Sequence, residues 1–158
     1  MTEKKISGVV ITFFSTASAV GKTLISVNMA SELARQGYRV CLADYDLQFG
    51  DIANYLRLSV HRSSYDVIEA LKQNNQADLQ QLLVPYRYGT ISFDVLPAPE
   101  SLEQAYSISP EDCTALIEKL RLLYDYVIID TTSMFSKLNL AMLDLSTIVT
   151  FLGVVDFI

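Results

Sequence analysis

Three places along the chain carry side chains that could act together: Gly21-Lys22-Thr23, the acidic run Asp44-Tyr45-Asp46, and Asp130 after Tyr124-Asp125-Tyr126-Val127-Ile128-Ile129. A lysine and a hydroxyl directly after a glycine suit a polyphosphate. The Lys22 ammonium can reach β and γ phosphates, and the Thr23 hydroxyl can ligate Mg²⁺. Backbone N–H groups along Thr16, Ala17, Ser18, Ala19, Val20, Gly21, Lys22, Thr23 and Leu24 can meet the remaining oxygens where the helix dipole favours negative charge. Asp130, last in its apolar run, has the shape of a carboxylate that holds Mg²⁺ directly or through water.

Such chemistry needs a strand, a loop and a helix in that order. Val9-Val10-Ile11-Thr12-Phe13-Phe14 reads as a buried strand, and residues 24–36 read as a helix closed by Gly37, within an organising stretch from Ile6 to Gln36. Residues 39–44 form a second continuous apolar run, as expected for a parallel sheet covered on both faces. Ligands of such sheets bind beyond the carboxyl ends of the strands, so Asp44 and Asp46 should point to the same edge as the phosphate loop. The competing reading is that one of them only caps the turn that follows.

The loop departs from the pattern G-x-x-x-x-G-K-[ST]. Thr16 occupies the first glycine position, and Ser18 and Ala19 carry Cβ atoms where a close approach to a ligand favours glycine, leaving only Gly21.

The rest of the chain reads as alternating elements. Short helices are expected over 52–58 and over 63–71, the latter capped by Ser63 or Ser64, with the lone His61 between them at the surface. Residues 78–84 form an amphipathic piece stopped by Pro85. Residues 91–96 alternate as a third strand nearer the sheet edge, ended by Pro97-Ala98-Pro99. Ser109-Pro110-Glu111-Asp112 opens a clear helix, residues 124–130 form a fourth strand, 135–145 a helix and 147–155 a fifth strand. So apolar a final strand should lie centrally or be completed by further sequence.

The 158 residues, 51% of them hydrophobic, suit one domain with a substantial core. A net charge of −6 without a basic cluster argues against direct nucleic-acid binding. Cys41 and Cys113 lack a CxxC arrangement and read as core thiols of a reducing compartment. There is no signal-peptide pattern and no apolar run of the roughly 18 residues a membrane span needs, so a cytoplasmic protein is expected.

Taken together, the Gly-Lys-Thr loop, Asp44-Tyr45-Asp46-Leu47-Gln48-Phe49-Gly50-Asp51 and the strand ending in Asp130 resemble the MinD/ParA superfamily of P-loop ATPases. The Leu47-Gln48-Phe49-Gly50-Asp51 run and Leu96-Pro97-Ala98-Pro99 look most like CpaE-type proteins of Flp/Tad pilus assembly. The resemblance implies an α/β, doubly wound, mainly parallel sheet with helices on both faces, here its N-terminal part (residues 1–158). It implies ATP and Mg²⁺ as ligands. Lys22 and Thr23 would bind phosphate and metal, Asp46 would stand near the attacking water and the metal, Asp44 would be the reserve for that role, and Asp130 would support the metal. A homodimer in the full-length protein, pilus assembly or secretion proteins as partners, and recruitment by them to the inner face of the membrane also follow from it. The family's signature lysine would fall at Ala17. Its absence fits the CpaE branch and, with the lost glycines, favours one rival, an interaction module that does not hydrolyse nucleotide; a second rival, a partitioning or positioning ATPase, needs DNA binding that the acidic balance counts against.

Overall fold

The computed structural model describes residues 7–154, so the parts of the expected elements that touch Ile6 and Val155 lie outside the described residues. In order, the chain forms β1 (Val9–Ser15), α1 (Lys22–Arg35), β2 (Val40–Asp44), α2 (Ile52–Tyr55), α3 (Ser64–Gln73) and α4 (Leu79–Leu82). It continues through β3 (Val84–Tyr88), β4 (Ile91–Leu96), α5 (Leu102–Ser107), α6 (Pro110–Leu120), β5 (Tyr126–Asp130), α7 (Lys137–Leu145) and β6 (Ile148–Leu152). The strands make one six-stranded sheet in the order β3-β4-β2-β5-β1-β6, parallel throughout except for the β3–β4 hairpin.

The continuous apolar runs are the central strands, and alternate residues along each serve two cores. Ile11, Phe13, Leu42, Val95 and Ile128 pack with Val27, Ala30 and Ala34 of α1 on one face. Val10, Cys41, Ala43, Val127 and Ile129 pack on the other face with Val67 and Ile68 of α3, Cys113, Leu116, Ile117 and Leu120 of α6, and Met142 of α7. Burying each such aliphatic side chain is worth about 1.5–3 kcal/mol, which is why the sheet needs helices on both sides. The doubly wound architecture expected from the sequence is therefore present.

Local signals act as written. Ser63, not Ser64, precedes α3, its N–H donating to Asp66 Oδ2 at 2.7 Å. Ser109 caps α6 by accepting from Asp112 N–H at 3.1 Å, with Pro110 in the first turn. Both cysteines are buried thiols, and His61 is exposed.

Three expectations require correction, and one further helix is present. Pro85 does not stop a helix but lies inside β3, opposite Asp94. The hairpin turns through two residues, with Gly89 at φ 59°, so Tyr88 and Ile91 flank it as a hydrogen-bonded pair. Alternation then turns the missing N–H of Pro85 away from β4, the one orientation an edge strand tolerates. Residues 102–107 form the further helix, α5, capped by Ser101. The helix expected from residue 135 begins at Lys137 behind its cap Ser136, and α1 begins at Lys22 rather than residue 24. Of the two alternatives expected for the last strand, the central one is not met, since β6 lies at the edge of the sheet. It pairs with β1 alone, and Ile148, Val149 and Phe151 are exposed.

Candidate functional site

β1, β5 and β2 are neighbours, and their carboxyl ends bring the sequence-predicted residues to one edge. Phe13 is registered with Asp130, and Asp130 with Asp44. From β1 the chain turns through residues 16–21 into α1. Gly21 takes φ 89°, a conformation in which glycine has no steric penalty, and Ala19 takes φ 57°, which costs an L residue energy. No acidic residue lies in the first turn of α1 itself; the carboxylates near it belong to the facing strand ends and the loop after β2.

Between these ends lies a cavity of about 430 Å³, within the range of small-ligand sites. Ser18, Ala19, Val20, Gly21, Lys22, Thr23 and Leu24 line one wall, and Asp44, Asp46 and Asp130 another. Gln48, Phe49, Asp51 and residues 131–134 complete it. Thr16 and Ala17, predicted with the loop, are exposed and do not line the cavity.

The carboxylates differ in how they are held. Asp44 is buried and accepts from the N–H of Asp46 at 3.2 Å and of Ile52 at 3.1 Å, one on each oxygen. Burial first, then the nearby charge of Asp130, pushes its pKa up to about 8 against those two hydrogen bonds. Asp130 is also buried. Its Oδ2 accepts from the Thr23 hydroxyl at 2.5 Å, and its Oδ1 has no partner. Burial raises its pKa to about 6, opposed by the Thr23 hydrogen bond and the Lys22 charge. Asp46 is half-buried and accepts from Phe49 N–H at 3.1 Å.

Among the described residues no group of three or more His, Cys, Asp or Glu is placed to hold a metal by itself. Mg²⁺ takes one or two carboxylates and completes its shell with phosphate oxygens and water. The unpartnered Asp130 Oδ1 and the adjacent Thr23 hydroxyl are the groups that fit it.

Three features carried no signal in the sequence. Lys22 Nζ donates to Ser15 Oγ at 2.9 Å and to Ser133 Oγ at 2.7 Å. Asn139, buried on α7, gathers the loop after β5 by donating to Thr132 Oγ1 and the Met134 carbonyl, each at 2.6 Å. Serine and asparagine at these places match no spacing rule; only Ser133, just after Asp130, and Ser15, at the start of the phosphate loop, had positions that could have drawn attention. Third, a Cβ at Gly50 would collide with Ala98 Cβ and fall 2.6 Å from Asp44 Oδ2. The 47–51 and 96–99 stretches singled out above therefore touch, and they do so beside Asp44.

Comparison with known proteins bears on the family and the fold. The chain is 33% identical over 124 residues to the septum site-determining protein MinD of Thermotoga maritima, a match covering 78% of this chain and 44% of that protein. The chain thus spans less than half the length of that curated relative. Among solved structures it superposes on a ParA family ATPase from Chlorobium tepidum at TM-score 0.80, with 24% identity, 92% of this chain and 60% of that one covered. On MinD of Pyrococcus horikoshii, solved with Mg-ADP, the TM-score is 0.77 at 19% identity, covering 92% of this chain and 57% of that one. The AAA_31 profile, an AAA domain, matches residues 8–151, and the chain belongs to that family, within the MinD/ParA superfamily of P-loop ATPases.

Proposed function

We propose that the chain is the nucleotide-binding part of a CpaE-like ATPase that positions pilus assembly machinery. The observation that carries nucleotide binding is the convergence of Lys22, Thr23 and the half-satisfied Asp130 on one cavity at the start of an acid-free helix turn. The CpaE reading is supported by the packing of Gly50 against Ala98, which makes the two stretches that carry that resemblance one local unit.

In this reading Lys22 and the N–H groups at the start of α1 bind and orient the polyphosphate. Bound Mg²⁺ would neutralise charge developing on the phosphates, with Thr23 and Asp130 as its protein partners. Asp46, at the cavity wall with one oxygen on a turn N–H, orients the attacking water. Asp44 keeps its two backbone hydrogen bonds and holds the 46–52 loop in place.

Titration calorimetry with Mg-ATP, with and without Mg²⁺, tests binding: Lys22→Ala should lower affinity at least tenfold without loss of fold, and unchanged affinity in the folded variant removes the phosphate-loop reading. Deleting the gene tests the cellular role. Loss or misplacement of pili, through partners at the inner face of the membrane, is expected. Misplaced septa with normal pili would favour the MinD-type positioning role that the name of the Thermotoga relative suggests. Ala17 favours one further reading, a module that binds nucleotide without hydrolysing it, because no cation stands where the superfamily places its signature lysine.

A further inference from the structure

The sheet ends at β3, and beside that strand lies a second groove, of about 480 Å³. Leu58, Leu82, Leu83, Val84 and Pro85 form its apolar floor, and His61 and Arg62 stand at its lip. Leu58 packs against the core on the α1 face and Leu82 against the core on the other, so the groove opens where both cores reach the sheet edge.

Charge at this edge runs against that of the whole chain. The net charge is −6, yet residues 52–65 and 79–93, which build the edge, contain no Asp or Glu and carry Arg57, His61, Arg62 and Arg87. The flanking carboxylates are engaged locally: Asp66 accepts from Ser63, Asp78 from Gln80 and Gln81, and Asp94 from Tyr124. Among the described residues Arg35, Arg39 and Arg121 form ion pairs, whereas Arg57, Arg62 and Arg87 form none. Arg62 gives one N–H to the Gln81 carbonyl at 3.0 Å, which leaves its other guanidinium donors for a ligand. Arg57 directly precedes Leu58, and strand alternation puts Arg87 on the same face of β3 as Pro85.

The backbone supplies a second set of partners. Because Tyr88 and Ile91 form a hydrogen-bonded pair, the N–H and C=O of Arg87 and the C=O of Pro85 point to the free edge. One donor and two acceptors in a row suit an extended chain.

We propose that this edge is a docking site for an acidic, extended segment of a partner protein, which adds to β3 as a further strand. Its backbone bonds to Pro85 and Arg87, a carboxylate side chain meets the arginines in charge-assisted hydrogen bonds, and an apolar side chain covers the leucine floor. Other occupants fit less well. A second copy pairing through the same edge would set arginine against arginine. A nucleic acid would satisfy the arginines and leave the apolar floor uncovered.

Amide NMR of the ¹⁵N-labelled chain, titrated with a terminally blocked hexapeptide of alternating Glu and Leu, tests this. Saturable shifts should concentrate in residues 57–62 and 82–88. Arg87→Glu reverses an exposed charge that pairs with nothing in the fold, and should weaken binding at least about tenfold with the rest of the spectrum unchanged. N-methylating alternate residues of the peptide should abolish binding in one frame and spare it in the other, as strand addition requires. The proposal is overturned by the absence of saturable shifts, by equal binding of a Lys-Leu peptide, or by indifference to the frame of N-methylation. A single-stranded oligonucleotide that moves the same amides more strongly, or a dimer in sedimentation that Arg87→Glu dissolves, would overturn it in favour of the other occupants.

Discussion

Asp44 and Asp130 end adjacent strands, face each other in register and are both buried, yet their hydrogen bonding differs. Each oxygen of Asp44 accepts a backbone N–H, so its side chain is consumed in folding the loop that follows. Asp130 spends one oxygen on a side chain that could itself hold a metal and leaves the other unpaired. An unsatisfied buried carboxylate oxygen is costly, and beside a cavity it is the oxygen that a ligand could satisfy. Burial is common to both carboxylates; what separates them is the identity of their partners.

The sharpest way to break this contrast is to truncate the structural member. Asp44→Ala strands the N–H groups of Asp46 and Ile52 and should destabilise the fold by about 3 kcal/mol, read from urea midpoints at unchanged slope. A loss below about 1 kcal/mol would mean that the loop does not depend on it. Asp46→Asn, at the cavity wall, should slow phosphate release about 100-fold while the dissociation constant of a non-hydrolysable analogue stays within about threefold. Equal losses would assign Asp46 to the turn it caps. Asp130→Asn should leave the fold intact and reduce the gain in nucleotide affinity on adding Mg²⁺ about tenfold, a difference visible by titrating with and without EDTA.

Titration sharpens the same contrast. An acid whose folded pKa is raised above its unfolded value of about 3.9 favours the folded state fully below that value and loses this contribution as pH climbs to the folded pKa. With Asp44 at about 8, its share of stability should decline between about pH 4 and 8. Asp44→Asn should flatten that decline when midpoints are compared at pH 5 and pH 8. The smallest effect concerns the loop itself: Ala19→Gly relieves a positive φ and should stabilise by about 1 kcal/mol, seen as a small rise in Tm.

The central part of the molecule was legible in the sequence because parallel strands covered on both faces write themselves as unbroken apolar runs, as in residues 9–14 and 126–130. The edges were not. Pro85 is a stop signal in a helix and harmless in an edge strand, and only the two-residue turn at Gly89 and Thr90 distinguishes the cases. The apolar β6 left a central position and completion by further sequence both open, because strand order is a long-range property that residue types do not encode. The site divides in the same way. Glycine, lysine and aspartate at strand ends announce phosphate chemistry, whereas Ser15, Ser133 and Asn139 become visible only when the loops that carry them are brought within hydrogen-bond distance.

The contact of Gly50 with Asp44 and Ala98 bears on how mutational tolerance would be read in this protein. In a saturation library selected for activity, position 50 should be as intolerant as Lys22, since even a methyl group there must displace a buried carboxylate and a neighbouring backbone segment. A depletion score alone would enrol Gly50 among ligand-binding positions. Soluble yield separates the two classes: replacements at Gly50 should lower the amount of protein recovered, whereas replacements at Lys22 should leave abundance untouched and remove binding.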